Sequence, residues 1–413
     1  MSAAERCPVC SGIELEDTIE RQRLPAMQNY VHRTREEALA APAGALTLAL
    51  CQTCGFAWNR RFDPRLLTYD ENYDNAVPSA VMERYYRDLV AHLRETYDLE
   101  GGLVVDVGCG DGAFLRLLCE EVSSLRGLGV DPALDREGSE LDGRLMLVRD
   151  VFTAAAIVER PALVVSRHVL EHMPEPVDFL RSIDSAVAPH GSCPVFVEVP
   201  DLTWIVRREA FWDFCYEHCN YFTPASVAEA FRRAGLGDPV TRPGYGGQYL
   251  WVEGRTGASS APAPRDRAGW PELPAYAAAE AASLATGRER LRELEQEGSA
   301  VAIWGMATKG VLFSLLTDPN AALIAFCIDV NPNKQGSFVP LTGHEIAPPD
   351  ALRARADERR LTIVVMNEVY AGEIEERCRA LGVAATFVGA AGGLSREPLP
   401  AGGWTADRGA PAP

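Results

Sequence analysis

Leu103-Val104-Val105-Asp106-Val107 is a compact apolar run that breaks at a cluster of glycines, after which apolar residues return at helical spacing as Phe114, Leu115 and Leu118. The same switch from strand-like run to helical stripe recurs along the middle of the chain. Runs at Leu128–Val130, Leu147–Phe152, Ala162–Arg167 and Cys193–Val199 predict further strands, Gly246–Val252 a returning one, and Val77–Tyr97 an amphipathic helix leading in. Thr223-Pro224, an alanine-rich stripe and Gly235 predict a helix with a threonine cap, proline at its first position and a glycine stop. Strands alternating with helices predict a mainly parallel, twice-covered sheet.

A second alternation follows. Ala275–Glu297 predicts a helix, Ala300–Trp304 a strand, Leu323–Ile328 another ending at Asp329, Leu361–Met366 a third, with a helix from Tyr370. Its first turn, Gly305 to Gly310, lacks Gly-x-Gly-x-x-Gly, so no dinucleotide is assigned to it. Gly254–Pro271 reads as a linker, and the Gly-, Pro- and Ala-rich stretch from Ser395 as a disordered tail. The expected class is α/β, with residues 1–70 a small zinc-knuckle domain, 71–255 a larger Rossmann-like sheet, 256–272 a linker, 273–394 a second, smaller Rossmann-like domain that binds substrate, and 395–413 the tail.

Two cysteine pairs carry the metal reading. Cys7-Pro8-Val9-Cys10 and Cys51-Gln52-Thr53-Cys54 have the spacing of knuckles that together close a four-sulfur zinc site, structural because four protein ligands leave no open position. The other seven of 11 cysteines show no disulfide pattern and read as buried thiols. The 413 residues suffice for two or three domains. A balance of 40 Lys and Arg against 58 Asp and Glu, net −18, argues against nucleic-acid or anionic-membrane partners and for a small-molecule substrate. Met1 to Arg6 lacks a signal peptide's basic and apolar regions, so a cytoplasmic location is expected.

The glycine turn is Asp106-Val107-Gly108-Cys109-Gly110-Asp111-Gly112, with Asp131 closing the next strand. An acid ahead of the glycines repels phosphate and attracts a cation, and a second acid about twenty residues on suits ribose hydroxyls. The stretch resembles motif I of class I S-adenosylmethionine methyltransferases. Asp150 lies where an acid would face the adenine amino group, and His168 opens a loop that in methyltransferases lies near the transferred methyl; a solvated strand-end acid is the competing reading for Asp150.

Phe211 to Thr223 interleaves ionisable and aromatic residues: Phe-Trp-Asp-Phe-Cys-Tyr-Glu-His-Cys-Asn-Tyr-Phe-Thr. This composition suits a cleft with shifted pKa values, and equally a core histidine bonded to backbone. The order of cysteine pairs, motif I, Glu217-His218-Cys219-Asn220-Tyr221-Phe222 and Asp329-Val330-Asn331-Pro332-Asn333-Lys334-Gln335-Gly336 resembles the deoxysugar C-methyltransferases, which methylate carbon 3 of nucleotide-linked 4-keto-6-deoxysugars. The resemblance runs from Cys7 to about Val388. It implies S-adenosylmethionine and structural zinc, His218 as the base that removes the proton beside the ketone, Glu217 as its support or a sugar ligand, and Tyr73 facing the enolate. It further implies a substrate role for Tyr221 and phosphate contacts from Lys309 and Lys334. Two departures, Cys215-Tyr216 in place of a Tyr-His pair and the loop Leu24 to Asn29, put the substrate's identity in doubt. Methyl transfer to oxygen or nitrogen of another polar molecule is the alternative, and a non-catalytic binding protein on the same fold the third.

Overall fold

The computed structural model describes residues 6–70, 72–76, 78–257, 273–353, 360–391 and 394–399. Residues 258–272 of the expected linker and 400–413 of the expected tail lie outside the described residues. Three sheets organise the rest.

The first is antiparallel and joins Leu15–Pro25, Ala43–Cys51 and Ala57–Asn59. The sequence pattern predicts no strand over Leu15–Pro25. Its outward positions Glu16, Asp17, Glu20 and Arg23 mask the inward ones, Ile19 and Leu24, and only pairing with the apolar strand Ala43–Cys51 gives the segment a buried side. The fourth strand comes from far downstream: Asn220 pairs with Trp58 and Tyr221 with Ala57. The residues that follow His218 are therefore stitched onto the cysteine-bearing sheet.

The second sheet has eight strands, in the order Gly237–Gly244, Tyr249–Arg255, Pro194–Pro200, Leu163–Arg167, Leu103–Val107, Arg126–Val130, Leu145–Val148 and Gly138–Glu140. The five from Pro194–Pro200 to Leu145–Val148 are parallel, and Tyr249–Arg255 runs antiparallel beside Pro194–Pro200. The edge strands Gly237–Gly244 and Gly138–Glu140 escape a pattern reading because half or more of the residues of each are exposed. Strand order reverses on either side of Leu103–Val107, which places a ligand crevice at the carboxyl ends of this strand and Leu163–Arg167. The leading helix spans Ala80–Thr96, and Thr223 caps Pro224–Ala234 before Gly235 stops it at φ +91°.

The third sheet is wholly parallel, in the order Ile346–Ala347, Phe326–Ile328, Ser299–Trp304, Arg360–Val365 and Thr386–Gly389. It too reverses at its first strand. Arg21 ties the three parts together: its guanidinium donates to the carbonyls of Phe214 and Phe211 at 2.6 and 2.9 Å and pairs with Glu280, on helix Leu273–Gln296, at 2.8 Å. Among the described residues no helix is long and apolar enough to cross a membrane.

Candidate active site

The turn after Leu103–Val107 forms a cradle. Gly108, Gly110 and Gly112 all have positive φ, and a Cβ on Gly108 would sit 2.3 Å from Val169, whereas one on Gly110 would meet nothing within 4 Å. The backbone at Gly110 thus faces open space, as a ligand surface must. Asp131 accepts from the Gly110 amide at 2.9 Å and the Ala133 amide at 2.7 Å, fixing the turn's shape. Asp106 is 3% exposed and its Oδ1 has no hydrogen-bond partner among the described residues. Burial pushes its pKa up to about 7, with Asp131 adding to the rise and Arg167 opposing it. A buried carboxylate with one oxygen unpartnered, beside an open glycine turn, fits the cationic methionine portion of S-adenosylmethionine. Asp150 is exposed and accepts from the Val151 amide at 2.7 Å. His168 has φ +54° and lies between two buried acids, with Nδ1 3.3 Å from Glu171 and Nε2 2.9 Å from Glu198.

The raised pKa of Asp106 has a measurable consequence. Below about pH 6 the carboxyl is protonated and offers a cation no charge; above about pH 8 it is anionic. S-adenosylmethionine affinity is expected to rise about tenfold across that interval in titration calorimetry, and Asp106→Asn should flatten the profile.

His218 lies two residues ahead of the strand Asn220–Tyr221. Its ring lies edge-on to His172, with centroids 4.9 Å apart. Burial, seconded by His172, pushes its pKa down to about 3, so the imidazole is unprotonated at any working pH, while Glu171 opposes that shift. Glu171 is 1% exposed, and its Oε2 has no partner among the described residues. One ligand atom each from Glu171, His172 and His218 lies within 4.8 Å of the others, so an imidazolium forming at His218 would have a carboxylate at hand.

Glu217, 2% exposed, turns to other partners. Tyr69 donates to it at 3.3 Å, Tyr73 interacts with it, and the two tyrosine rings meet edge-on at 4.9 Å. His172 Nδ1 lies 3.1 Å from the Glu217 carbonyl and 3.3 Å from the Tyr69 hydroxyl. The cluster therefore reads Tyr73, Glu217, Tyr69, His172, His218, Glu171. Tyr69, His172 and Glu171 are the members that sequence reasoning did not name as catalytic candidates. Tyr69 precedes Tyr73 by one helical turn's worth of residues, and Glu171-His172 follows His168, but nothing in the linear order joins these segments to Glu217.

Three residues expected at the substrate are engaged elsewhere. Tyr221 is 2% exposed and donates to the Cys215 carbonyl at 2.8 Å, which makes it a pin for the loop behind His218. Lys309 grips both oxygens of Asp213 at 2.7 and 2.6 Å and lies over the Trp204 ring. Lys334 is 4% exposed and donates to Asn29 Oδ1 at 2.9 Å.

The four cysteines of the first sheet converge. Cys7 and Cys54 sulfurs are 3.7 Å apart, and those of Cys10 and Cys51 3.5 Å. Sulfurs at the corners of a tetrahedron around zinc, each about 2.3 Å from the ion, are about 3.8 Å apart, so the spacing fits. The amides of Cys10 and Gly12 point at the sulfurs of Cys7 and Cys10, at 3.5 and 3.4 Å, as donors to thiolates do.

An inserted antiparallel strand beside a doubly wound sheet, with an acid-led glycine turn, defines a class I methyltransferase. The comparisons agree: a methyltransferase domain model matches residues 80–238, and a C-methyltransferase C-terminal domain model residues 273–383. The C-methyltransferase NovU of Streptomyces niveus is 26% identical over 364 residues, spanning 81% of this chain and 84% of that protein. A ubiquinone biosynthesis O-methyltransferase of Methylobacterium sp. (strain 4-46) is 29% identical over 202 residues, 40% of this chain and 76% of its own. The magnesium protoporphyrin IX methyltransferase of Synechocystis PCC 6803, solved with bound SAH, aligns with 45% of this chain and 90% of that one at 16% identity, with a TM-score of 0.33. With these matches the chain is an S-adenosylmethionine-dependent methyltransferase whose C-terminal part resembles that of C-methyltransferases.

Proposed function

We propose that the enzyme methylates carbon 3 of a nucleotide-linked 4-keto-6-deoxysugar, with His218 as general base. The observation that carries this is a neutral imidazole in contact, through His172, with a pair of tyrosines on a buried carboxylate. A carbon nucleophile needs both halves. His218 takes the proton beside the ketone, Glu171 stabilises the imidazolium, and the Tyr73 hydroxyl, held near Glu217 and supported by Tyr69, donates to the oxyanion. S-adenosylmethionine, held at Asp106 and the Gly108–Gly112 turn, supplies the methyl group. Asp131 would meet its ribose and Asp150 its adenine.

Zinc at Cys7, Cys10, Cys51 and Cys54 serves structure, and the 273–394 unit closes over the nucleotide sugar. The matched C-methyltransferase C-terminal domain supports carbon as the acceptor. The alternative, transfer to a hydroxyl or amine, keeps the base and drops the enolate.

The test is deuterium uptake. Nucleotide-linked 4-keto-6-deoxysugars in heavy water, with the enzyme and S-adenosylhomocysteine but no methyl donor, should gain one deuterium beside the ketone by mass spectrometry. No uptake across the panel, in a protein that still binds the cofactor, would turn the reading to heteroatom transfer.

A further inference from the structure

Glu171, His172 and His218 are residue types that hold transition metals, and the structure converges them: one ligand atom of each lies within 4.8 Å of the others. The convergence is built into the backbone. Cys219 Sγ donates to the Glu171 carbonyl at 3.5 Å, and Asn220 Nδ2 donates to the carbonyls of Leu170 and Met173 at 3.1 and 2.5 Å. The turn bearing Glu171 and His172 is thereby fastened to the residues next to His218. The outer hydrogen bonds also leave lone pairs for a cation. His172 Nδ1 lies 3.1 Å from the Glu217 carbonyl, which can only accept, so the ring proton sits on Nδ1 and the lone pair on Nε2. Glu171 Oε1 accepts from His168 Nδ1 at 3.3 Å, while Oε2, on a residue 1% exposed, has no partner among the described residues. A histidine held through its second nitrogen and a carboxylate held through one oxygen have the outer supports that metal ligands usually have.

We infer that Glu171, His172 and His218 form a second metal site, separate from the four cysteines, which takes a divalent transition cation of the zinc class from solution. The ring spacing fits one. With an ion about 2.0–2.1 Å from a nitrogen, and so about 3.2 Å from the ring centre, two imidazoles have centres about 5.2 Å apart on a tetrahedral ion and about 4.5 Å apart on an octahedral one. The 4.9 Å between the centres of His172 and His218 falls between the two. Two imidazoles and a carboxylate suit zinc, cobalt or nickel rather than magnesium or calcium, and leave a position on the ion open. Glu171 is covered, but His172 and His218 are only half-buried, which leaves the cation a way in. An ion bound there takes up the lone pair with which His218 would accept a proton, so the occupied enzyme is the inactive one. That consequence rests on His218 as the base; the site itself does not.

The test titrates cobalt(II) into the full-length enzyme with zinc in its cysteine site. One equivalent is expected to bind, with the weak visible bands of cobalt among nitrogen and oxygen ligands and without the strong near-ultraviolet absorption of cobalt on thiolate. Turnover and deuterium uptake on the keto-sugar panel should fall as those bands grow, and recover when a weak chelator removes the cobalt. Glu171→Gln and His172→Gln should each weaken cobalt binding by about tenfold or more, while elemental analysis finds the structural zinc retained. No cobalt bound, or unchanged binding in both variants, overturns the inference; if Glu171→Gln does not fold, His172→Gln decides it in the same way. Cobalt held through these residues without loss of turnover keeps the site and removes His218 from the role of base. In an enzyme inactive on the panel, the cobalt titration and its variants decide the site alone.

Discussion

His218→Asn is expected to slow turnover by ~100-fold or more while S-adenosylmethionine binds as before. Asparagine keeps a polar group of similar reach but cannot take up a proton. The cofactor cradle proposed above consists of Asp106, Asp131 and the glycine turn, with no bond from His218 to any of them, so affinity for the donor should not follow the loss. The shift to about 3 sharpens the expectation. In the substrate-free enzyme an imidazole so depressed is always unprotonated, so the acid limb of kcat/KM should not show a break near 6.5, the ordinary histidine value. Sign matters for stability as well. The unfolded chain takes up a proton below about 6.5 that the folded histidine refuses, so His218 makes the fold less stable as pH falls from about 6.5 toward 3. His218→Asn removes that dependence. Equal activity in the variant would sink the base assignment.

Loss of the cysteine site is expected to be the largest effect on folding, and to reach the chemistry as well. Zinc held by four thiolates contributes about 10 to 16 kcal/mol of binding free energy to small metal-dependent folds. Cys54→Ser, or a strong chelator on the native enzyme, should therefore release one zinc per chain by elemental analysis and lower the melting temperature sharply. From the linear order alone, residues 1–70 form a separate unit whose loss would leave the active-site chain intact. The sheet says otherwise, because Asn220 and Tyr221 are strand partners of Trp58 and Ala57, immediately after His218. Activity and His218 placement should fail together with the metal. Zinc loss that leaves both the melting temperature and turnover unchanged would contradict the structural role.

The local features were legible because each depends on neighbours in sequence. The Asp106 turn needs glycines at fixed offsets, the Pro224–Ala234 helix carries its own cap and stop, and each cysteine knuckle closes within four residues. The central strands announced themselves as short apolar runs, since a parallel strand buried on both faces has nothing polar to show. Leu15–Pro25 and Gly237–Gly244 did not, because half-exposed strands look like loops until a partner strand supplies the buried side.

The amino-acid sequence by itself determined the doubly wound class, the cofactor turn, the paired cysteines and the histidine that follows Glu217, all matters of short-range spacing and composition. Tertiary structure alone decided who faces whom. It set Glu171 and His172 beside His218 and gave Glu217 to the two tyrosines. It also buried Tyr221 against the Cys215 carbonyl and Lys334 against Asn29. Those partnerships join residues from different sheets, and a side chain's task depends on burial and on the charge it meets, neither of which a linear order contains.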